Sequence, residues 1–302
     1  MRALGVVGEG LIELGLGPLP DRSVVLGFGG DAANTAVMAA KLGRPARIAG
    51  RVGDDALGRR LLAYWVDCGV DVADVVVDSG APTGIYVNEL TPDGSHRFDY
   101  HRSNSAGSRL ESGDLVDGFF EGLGLLHVTG ITLSISADAA ETALTAIERA
   151  RARGVAISLA VNYRPALDPD LSLFREAAAA ADVVFASDED ARAVFGIEEP
   201  GPLLARLLRA SEVVLTHGRE GALLATASGT IEQRPPRVEL VDPACAGDAL
   251  AGAYLAARLA EAAPADALRQ GVAAAALSCR ARGCALSYPS GDEVEAAARA
   301  LA

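Results

Sequence analysis

The sequence predicts an α/β fold in which a mostly parallel sheet is covered by helices on both faces. Short apolar runs alternate along most of the chain with longer segments of helical periodicity. Parallel strands that are buried on both faces are typically such continuous apolar runs. A chain of 302 residues is also long enough to bury the substantial core that this architecture needs.

The predicted elements follow one another in this rhythm. Strands, rich in valine, leucine and isoleucine, are predicted at 3–8, 46–51, 125–129, 155–160, 183–186 and 213–216. Helices, rich in alanine and leucine, are predicted at 32–42, 57–68, 137–152, 171–181, 188–195 and 203–210. A hairpin at 222–226 and 230–234 precedes a helix that starts near Gly247 and another at 265–280. Because no repeat or low-complexity linker interrupts the chain, residues 1–302 are predicted to form one domain.

Two stretches break the rhythm and predict a small additional β-sheet. Residues 84–90 and 95–101 alternate apolar and polar side chains around a turn at 91–94, which is typical of a β-hairpin. We therefore expect a β-hairpin within residues 83–106.

The charge balance limits the partners of this chain. With 27 basic and 40 acidic residues, the formal net charge is -13, which argues against nucleic acid or an anionic membrane as a partner. An anionic ligand must be bound by locally placed positive groups. Because Lys41 is the only lysine, arginine side chains are the candidates for that task.

The remaining composition predicts a cytoplasmic protein. The four cysteines are Cys68, Cys245, Cys279 and Cys284. They are too few and too scattered for a disulfide framework, which fits a reducing compartment, and the four histidines show no zinc-ligand spacing with them. Glu9 and Glu13 interrupt the N-terminal region before a signal-peptide apolar segment could form, and no apolar run approaches the roughly 20 residues that span a bilayer.

The stretch 241–250 carries the strongest functional signal. Small residues run into Asp248 at the start of an alanine-rich helix, so Ala246, Gly247 and Asp248 should form its first turn. Backbone N–H groups there lack intrahelical partners and the helix dipole is positive, which suits a phosphate. Taken alone, Asp248 could equally be a helix cap.

A second glycine-rich turn opens another helix. It reads Gly27-Phe28-Gly29-Gly30-Asp31-Ala32-Ala33-Asn34, and Gly43 can terminate the helix that follows. Together the two segments resemble the paired signatures of the ribokinase-like (PfkB) carbohydrate kinases, an N-terminal Gly-Gly-x-x-x-Asn motif and a C-terminal Asp-Thr-x-Gly-Ala-Gly-Asp motif. The resemblance covers residues 5–289 and implies the ribokinase-like three-layer αβα fold. It also implies a small β lid over the sugar site, formed from about 11–27 and 83–106 and including the hairpin.

The resemblance implies a catalytic role for the C-terminal motif. Asp248 would be the base that takes the proton from a sugar hydroxyl. The backbone N–H groups of Ala246, Gly247 and Asp248, with Cys245, would form the anion hole. Cys245 stands where the family has glycine, and a side chain there could weaken phosphate binding. An alternative role for Cys245 is that of a nucleophile, because helix N-termini lower thiol pKa values. No histidine lies nearby in sequence to support that role.

The resemblance also implies ATP and Mg²⁺ as cofactors. The family's Gly-x-x-Gly nucleotide loop matches Thr216, Gly218 and Gly221, although an ordinary hairpin turn explains these residues as well. Ser187 and Asp190 stand at the family's Asn-x-x-Glu positions, where Asp190 could organise the metal through water.

On the substrate side, the resemblance is to the 2-keto-3-deoxygluconate kinases. Their Tyr-Tyr-Arg-x-x-Ser-Ala and Asn-Tyr-Arg-Pro segments match the stretches that begin at Asp99 and Asn162. The implied sugar-binding residues, besides Asp248, are Gly30, Asp31, Asn34, Tyr86, Tyr100, Arg102, Ile131 and Arg164. Two arginines suit a sugar-acid carboxylate. The alternatives are a solvated strand end for Arg102, a local ion pair for Arg164 and core packing for Tyr86.

The expected activity is ATP-dependent phosphorylation of the terminal hydroxyl of 2-keto-3-deoxygluconate, giving 2-keto-3-deoxy-6-phosphogluconate. Related substrates stay open, namely 2-keto-3-deoxygalactonate, fructose, ribose and 5-dehydro-2-deoxygluconate. A degenerate kinase that binds a sugar without phosphoryl transfer is a further alternative, motivated by Cys245, Ala160 and Ser187. By analogy, we expect a homo-oligomer, a dimer or higher, that assembles through the lid.

Overall fold

The computed structural model describes residues 2–17, 20–91, 96–207 and 209–301. The strands of its main sheet are β1 (Ala3–Val7), β4 (Ala46–Gly53), β5 (Val70–Asp71), β6 (Val75–Asp78), β9 (Leu123–Thr129), β10 (Ala156–Ala160), β11 (Val183–Ser187), β12 (Glu212–Thr216), β13 (Ala222–Thr226) and β14 (Gly229–Gln233). The strand order is β14-β13-β12-β11-β10-β9-β1-β4-β5, and β6 also pairs with β4. Only the β12·β13 and β13·β14 pairs among these are antiparallel. The sheet is therefore mostly parallel.

The helices are α1 (Asp31–Lys41), α2 (Ala56–Asp67), α3 (Ala137–Ala152), α4 (Leu171–Ala180), α5 (Asp188–Phe195), α6 (Pro200–Arg206), α7 (Ala246–Leu259), α8 (Pro264–Ser278) and α9 (Gly291–Ala300). The helices fall into two groups, each of which packs into its own hydrophobic cluster. Helices α1, α2, α7, α8 and α9 contribute to one cluster, and α3, α4, α5 and α6 contribute to the other. The sheet lies between the two clusters, which confirms the predicted αβα layers.

A second sheet contains the segments that broke the sequence rhythm. Its strands are β2 (Leu11–Leu16), β3 (Val24–Gly29), β7 (Ile85–Leu90) and β8 (His96–His101), in the order β3-β2-β7-β8. We refer to these four strands as the lid sheet. The β7 and β8 strands pair antiparallel as a hairpin requires. Of the turn predicted at 91–94, residues 92–94 lie outside the described part of the chain.

The predicted elements match the observed ones closely, with informative exceptions. Helix α6 begins at Pro200 and not at 203, because proline suits the first turn of a helix, where no N–H donor is needed. Strands β5 and β6 and helix α9 were not predicted. The two strands are short, and β5 spans only Val70–Asp71, so neither gives a readable periodicity. Among the described residues, no helix is both long and apolar enough to cross a membrane.

Helices α1 and α7, which carry the two motifs at their N-termini, pack closely against each other. The contact depends on Gly252 in α7. A Cβ atom there would lie 2.6 Å from the backbone oxygen of Thr35 and 2.7 Å from Cβ of Met38. Because backbone atoms of α1 cannot give way as a flexible side chain can, a larger residue would push the two helices apart.

A buried polar cluster attaches α7 to the sheet. The Tyr254 hydroxyl donates to Glu212 at 2.5 Å, and Arg258 Nη2 donates to the same carboxylate at 2.7 Å. Glu212 is 4 % exposed and begins strand β12. Its carboxylate is thus satisfied by two α7 side chains, which fix the helix relative to that strand.

Gly252→Ala is expected to destabilise the protein by about 1–3 kcal/mol, because the added methyl group separates α1 from α7. Chemical denaturation measures the change. Gly201→Ala is the matched control, since Gly201 also lies in a helix but its added Cβ would meet only Thr230 Oγ1, at 3.9 Å. This control should be neutral or slightly stabilising. Equal effects of the two substitutions would contradict the close-packing account.

Candidate active site

The site forms at the carboxyl edge of the main sheet. Glu9 lies just beyond β1, Ile131 beyond β9 and Asn162 beyond β10, while α1 and α7 begin at the same edge. Ligands of open α/β sheets bind at this edge, since loops converge there and helix N-termini point toward it. The fold therefore gathers residues that are far apart in the chain.

A first cavity of about 420 Å³ lies between this edge and the lid sheet. We call it the lid cavity. The lid sheet contributes Leu11, Tyr86, Phe98 and Tyr100 to its wall. Its other lining residues are Glu9, Gly30, Asp31, Asn34, Arg102, Ile131, Asn162, Arg164, Pro243, Ala244, Cys245, Ala246, Gly247, Asp248 and Cys284. All the residues predicted to bind sugar are thus present in one cavity of monosaccharide size.

Asp248 lies in the first turn of α7 and faces the lid cavity. Asn34 Nδ2 donates to its Oδ2 at 2.8 Å, which links the two motifs directly. Burial raises the pKa of Asp248 to about 7, and the nearby Asp31 carboxylate adds to the shift, while Asn34 and Arg164 oppose it. A carboxylate with a pKa near neutrality suits a general base.

The start of α1 depends on the conformation of Gly30 and on a hydrogen bond from Asn162, which follows β10. Gly30 has φ 102°, and a Cβ atom there would lie 2.8 Å from Cα of Gly10, so this position requires glycine. Asn162 Nδ2 donates to Asp31 Oδ2 at 3.0 Å. The Asp31 carboxylate is thereby oriented at the border of the cavity.

Arg102 and Glu9 form an ion pair at the wall of the lid cavity. Both are nearly inaccessible to solvent, with Arg102 8 % and Glu9 1 % exposed. Burial raises the pKa of Glu9 to about 7, although the charge of Arg102 opposes the shift. Arg102 is therefore not the solvated strand end that was the alternative for it, and part of its charge is balanced from within the protein.

The other substrate-side residues line the cavity in different ways. Arg164 is exposed, and its Nη1 donates to its neighbour's backbone oxygen, Tyr163 O, at 2.9 Å. The rings of Tyr86 and Tyr100 stack with centroids 5.6 Å apart, and the Arg102 guanidinium lies 5.4 Å from the Tyr100 centroid. Tyr86 is buried at 4 %, whereas Tyr100 is 51 % exposed. Tyr86 therefore combines core packing with a position on the cavity wall.

A second cavity of about 530 Å³ lies on the other side of the α7 N-terminus. We call it the outer cavity. Thr216, Gly218 and Gly221 line it, as do three arginines, Arg219, Arg234 and Arg237. Gly221 has φ 105°, and a Cβ atom there would lie 3.1 Å from Cα of Arg234. Glycine is thus required where the loop after β12 passes β14, which both the predicted nucleotide loop and an ordinary turn would accommodate.

Ala246 and Gly247 line both cavities. The first turn of α7, with its free N–H groups and positive dipole end, therefore separates the two. Cys245 caps this helix with φ 60°, a left-handed conformation that favours glycine and explains the family residue at this position. Cysteine adopts it here without closing the lid cavity.

Ser187 and Asp190 are engaged elsewhere. The Ser187 hydroxyl accepts from Asp190 N at 3.0 Å, and the Asp190 carboxylate accepts from Ser187 N at 3.1 Å and Tyr163 N at 2.9 Å. This capping box starts α5, and neither residue lines the two cavities. Both residues thus have a structural role in the described chain, and their nucleotide and metal contacts stay a prediction. In the described ranges, no group of three or more His, Cys, Asp or Glu side chains is arranged to hold a metal ion.

Sequence reasoning did not assign a site role to Glu9, Asn162 or Cys284. The first two follow predicted strands directly, so the rule that ligands bind at the carboxyl ends of parallel strands could have identified them. Cys284 carries no such signal, because it reaches the cavity from a loop after α8.

Comparison with known proteins agrees with this geometry. Residues 14–291 match the pfkB family of carbohydrate kinases. The 2-dehydro-3-deoxygluconokinase of Thermoproteus tenax is 35 % identical over all of this chain and 95 % of its own length. The enzyme of that name from Bacillus subtilis is 30 % identical, with 89 % of this chain and 85 % of the relative covered. The crystal structure of a Xylella fastidiosa fructokinase with bound ATP superposes with a TM-score of 0.90 at 26 % identity, covering 99 % of this chain and 98 % of that one. The chain is therefore a member of the pfkB family of carbohydrate kinases, enzymes that transfer a phosphoryl group to an alcohol group of a sugar.

Proposed function

We propose that this protein is an ATP-dependent kinase that phosphorylates the terminal hydroxyl of 2-keto-3-deoxygluconate, also called 2-dehydro-3-deoxygluconate, to give 2-keto-3-deoxy-6-phosphogluconate. The observation that carries the proposal is the position of Asp248, on a helix N-terminus shared by a sugar-sized cavity with two arginines and a second, arginine-lined cavity. The 35 % identical relative bears the name of this activity.

Deprotonation of the sugar hydroxyl is assigned to Asp248. Its carboxylate is held by Asn34 and faces the lid cavity, where the terminal hydroxyl of a bound sugar would lie. The proton passes to the carboxylate as the hydroxyl oxygen attacks the γ-phosphorus. The bond from that phosphorus to the β–γ bridging oxygen breaks, and ADP leaves. Closure by the lid sheet would exclude water, which otherwise competes as the phosphoryl acceptor.

The phosphates of ATP are assigned to the first turn of α7. The N–H groups of Gly247 and Asp248 would donate to the transferring phosphoryl group, and the rest of the nucleotide would occupy the outer cavity beside Gly218 and Gly221. The arginines that line this cavity give the local positive charge that the acidic chain otherwise lacks. Bound Mg²⁺ would neutralise phosphate charge, coordinated mainly by phosphate oxygens and water, as this ion often is.

The substrate carboxylate is assigned to Arg164 and to the free edge of Arg102. Arg164 lines the cavity and has no acidic partner among the described side chains within ion-pair distance. A guanidinium can bind a carboxylate through two parallel hydrogen bonds. The ion pair with Glu9 fixes Arg102 in place while leaving its other donors available.

A neutral sugar such as fructose is the second candidate substrate. The observation in its favour is again the Glu9–Arg102 pair, because Glu9 balances a charge that a substrate carboxylate would otherwise use. On this alternative, Arg102 would orient neutral hydroxyls and Arg164 would contribute little to binding.

The lid sheet is proposed as an assembly surface as well. Its edge strand β3 exposes Val24 and Val25, and β8 exposes Phe98 and Tyr100. An apolar edge strand is suited to pairing with another chain. We therefore keep a homo-oligomer, a dimer or higher, as part of the proposal, together with a cytoplasmic location, where ATP is available.

Turnover measured by ADP release over a panel of neutral sugars and keto-deoxy sugar acids tests the substrate. We expect 2-keto-3-deoxygluconate to have the highest kcat/KM. Arg164→Met should raise KM for sugar acids by about 10- to 100-fold through the lost charged hydrogen bonds. Its effect on neutral sugars should be much smaller.

Arg59→Met is the matched control for this experiment. Arg59 has an exposed side chain and pairs only weakly, at 3.5 Å, with Asp54. The Arg59→Met variant should leave KM unchanged for acidic and neutral sugars alike. A preference for neutral sugars, or an equal effect of Arg164→Met on acidic and neutral substrates, would contradict the carboxylate assignment.

Asp248→Asn is expected to lower kcat by about 10²- to 10⁴-fold, because an amide cannot accept the proton. In the wild type, kcat/KM should rise with pH through about 7, since the carboxyl group must lose its proton to act as a base and its pKa is raised to about 7. Steady-state rates from pH 5.5 to 9 measure both effects.

Glu9→Gln separates the two groups that titrate in this range, because Glu9 also has a pKa of about 7. The pH profile of this variant should keep its acidic limb, as Asp248 remains. Loss of the limb in Glu9→Gln, or near-normal turnover of Asp248→Asn, would rule out Asp248 as the general base. Wild-type protein that binds a sugar acid but releases no ADP would indicate a degenerate, sugar-binding member of the family.

A further inference from the structure

Two cysteines meet at the border of the lid cavity. Cys245 caps the N-terminus of α7 and is half-buried. Cys284 lies in the loop after α8 and is 1 % exposed. Both line the cavity, although 39 positions separate them in the sequence. The mechanism proposed above uses neither thiol.

The backbone geometry of this pair suits a disulfide. The Cα atoms are 5.4 Å apart and the sulfur atoms are in contact. Native disulfides have Cα separations of about 4.4–6.8 Å. The spacing of the cysteines along the chain did not indicate this pair, because the fold joins two distant segments.

Hydrogen bonds that do not involve the sulfur atoms hold both backbones in place. Cys284 N donates to Glu13 Oε2 at 3.1 Å, and the Tyr288 hydroxyl donates to Cys245 O at 3.1 Å. Glu13 is itself buried and accepts from Asn88 at 2.8 Å. These contacts keep the two side chains facing each other whether or not the sulfur atoms are bonded.

The surroundings of the two thiols differ, and the difference makes Cys245 the more reactive of the two. Cys245 lies at the positive end of α7, which favours a thiolate, and it is accessible from the cavity. Cys284 is buried and packs beside Asn34, whose Nδ2 lies 3.8 Å from its sulfur. A small oxidant that enters the cavity therefore meets Cys245 first.

We propose that Cys245 and Cys284 form a thiol modification site, in which Cys245 reacts with a low-molecular-weight disulfide such as oxidised glutathione and Cys284 resolves the product. The Cys245 thiolate attacks one sulfur of the disulfide, forming a mixed disulfide and releasing one thiolate. Cys284, losing its proton to solvent, then attacks the Cys245 sulfur and releases the second thiolate. Two protein thiols are oxidised and one small disulfide is reduced.

Resolution by Cys284 would protect the phosphate-binding turn. A glutathione on Cys245 would occupy a cavity of about 420 Å³ that also has to hold the sugar. The Cys245–Cys284 bond adds no atoms to the cavity. With the sulfur atoms in contact, Asn34 still holds Asp248 at 2.8 Å and the cavity stays open. The internal disulfide is therefore a form in which the enzyme keeps its activity.

The test compares the reduced full-length wild type with Cys284→Ser after treatment with oxidised glutathione. The wild type should lose about 2 Da, and a non-reducing digest should contain the peptides of Cys245 and Cys284 joined. Its kinase activity should stay within about twofold of the untreated enzyme. Cys284→Ser should gain about 305 Da on Cys245 and lose activity at least about tenfold relative to its own untreated sample, reversibly with dithiothreitol.

Cys68→Ser is the matched control, because it removes a thiol in helix α2's C-cap, remote from the lid cavity residues, and should behave as the wild type does. The proposal is overturned if the wild-type digest lacks the joined peptides, or if Cys284→Ser takes up no glutathione at Cys245. If Cys284→Ser does not fold, the presence or absence of the joined peptides in the wild-type digest decides whether the proposal holds. The activity measurement rests on the proposed kinase function, whereas the masses do not, so failure of one is distinguishable from failure of the other.

Discussion

The close contact between α1 and α7 is the constraint on which the rest of the site depends. Gly252 leaves room for the backbone of α1 at Thr35, one residue after Asn34. That approach brings the Asn34 amide to 2.8 Å from the Asp248 carboxylate, although 214 positions separate the two in the chain. The two motifs thus lie side by side because small residues allow the helices that carry them to pack backbone against backbone.

Buried charged groups around the helix pair set the electrostatics of the lid cavity. Asp248 and Glu9 both have pKa values raised to about 7, chiefly because burial disfavours their charged forms, and Asp31 increases the effect for both. Arg102, Arg164 and the α7 dipole supply the opposing positive charge. In a chain of formal charge -13, these groups concentrate positive charge at one edge of the sheet, where the anionic substrate is proposed to bind.

The fold was predictable from the sequence wherever periodicity is strong. The strands β1, β4, β9, β10, β11 and β12 and most helices lie within a few residues of their predicted positions. The motif residues lining the lid cavity were predicted from the resemblance to the PfkB kinases, whose glycine turns and helix starts also have a physical signature. Contacts between segments that are distant in the chain have no such signature in the sequence. The Glu9–Arg102 ion pair and the Cys245–Cys284 contact both depend on which segments the topology brings together. The Ser187–Asp190 capping box, by contrast, joins residues only three positions apart.

The central claim is that one helix N-terminus holds the transferring phosphoryl group while its own carboxylate deprotonates the acceptor. A crystal structure with both 2-keto-3-deoxygluconate and a non-hydrolysable ATP analogue tests it most directly. We expect γ-phosphate oxygens within hydrogen-bond distance of the Gly247 and Asp248 amides. The terminal hydroxyl of the sugar acid should lie about 3 Å from the Asp248 carboxylate. Phosphates bound away from α7, with the Asp248 carboxylate turned toward solvent, would contradict it.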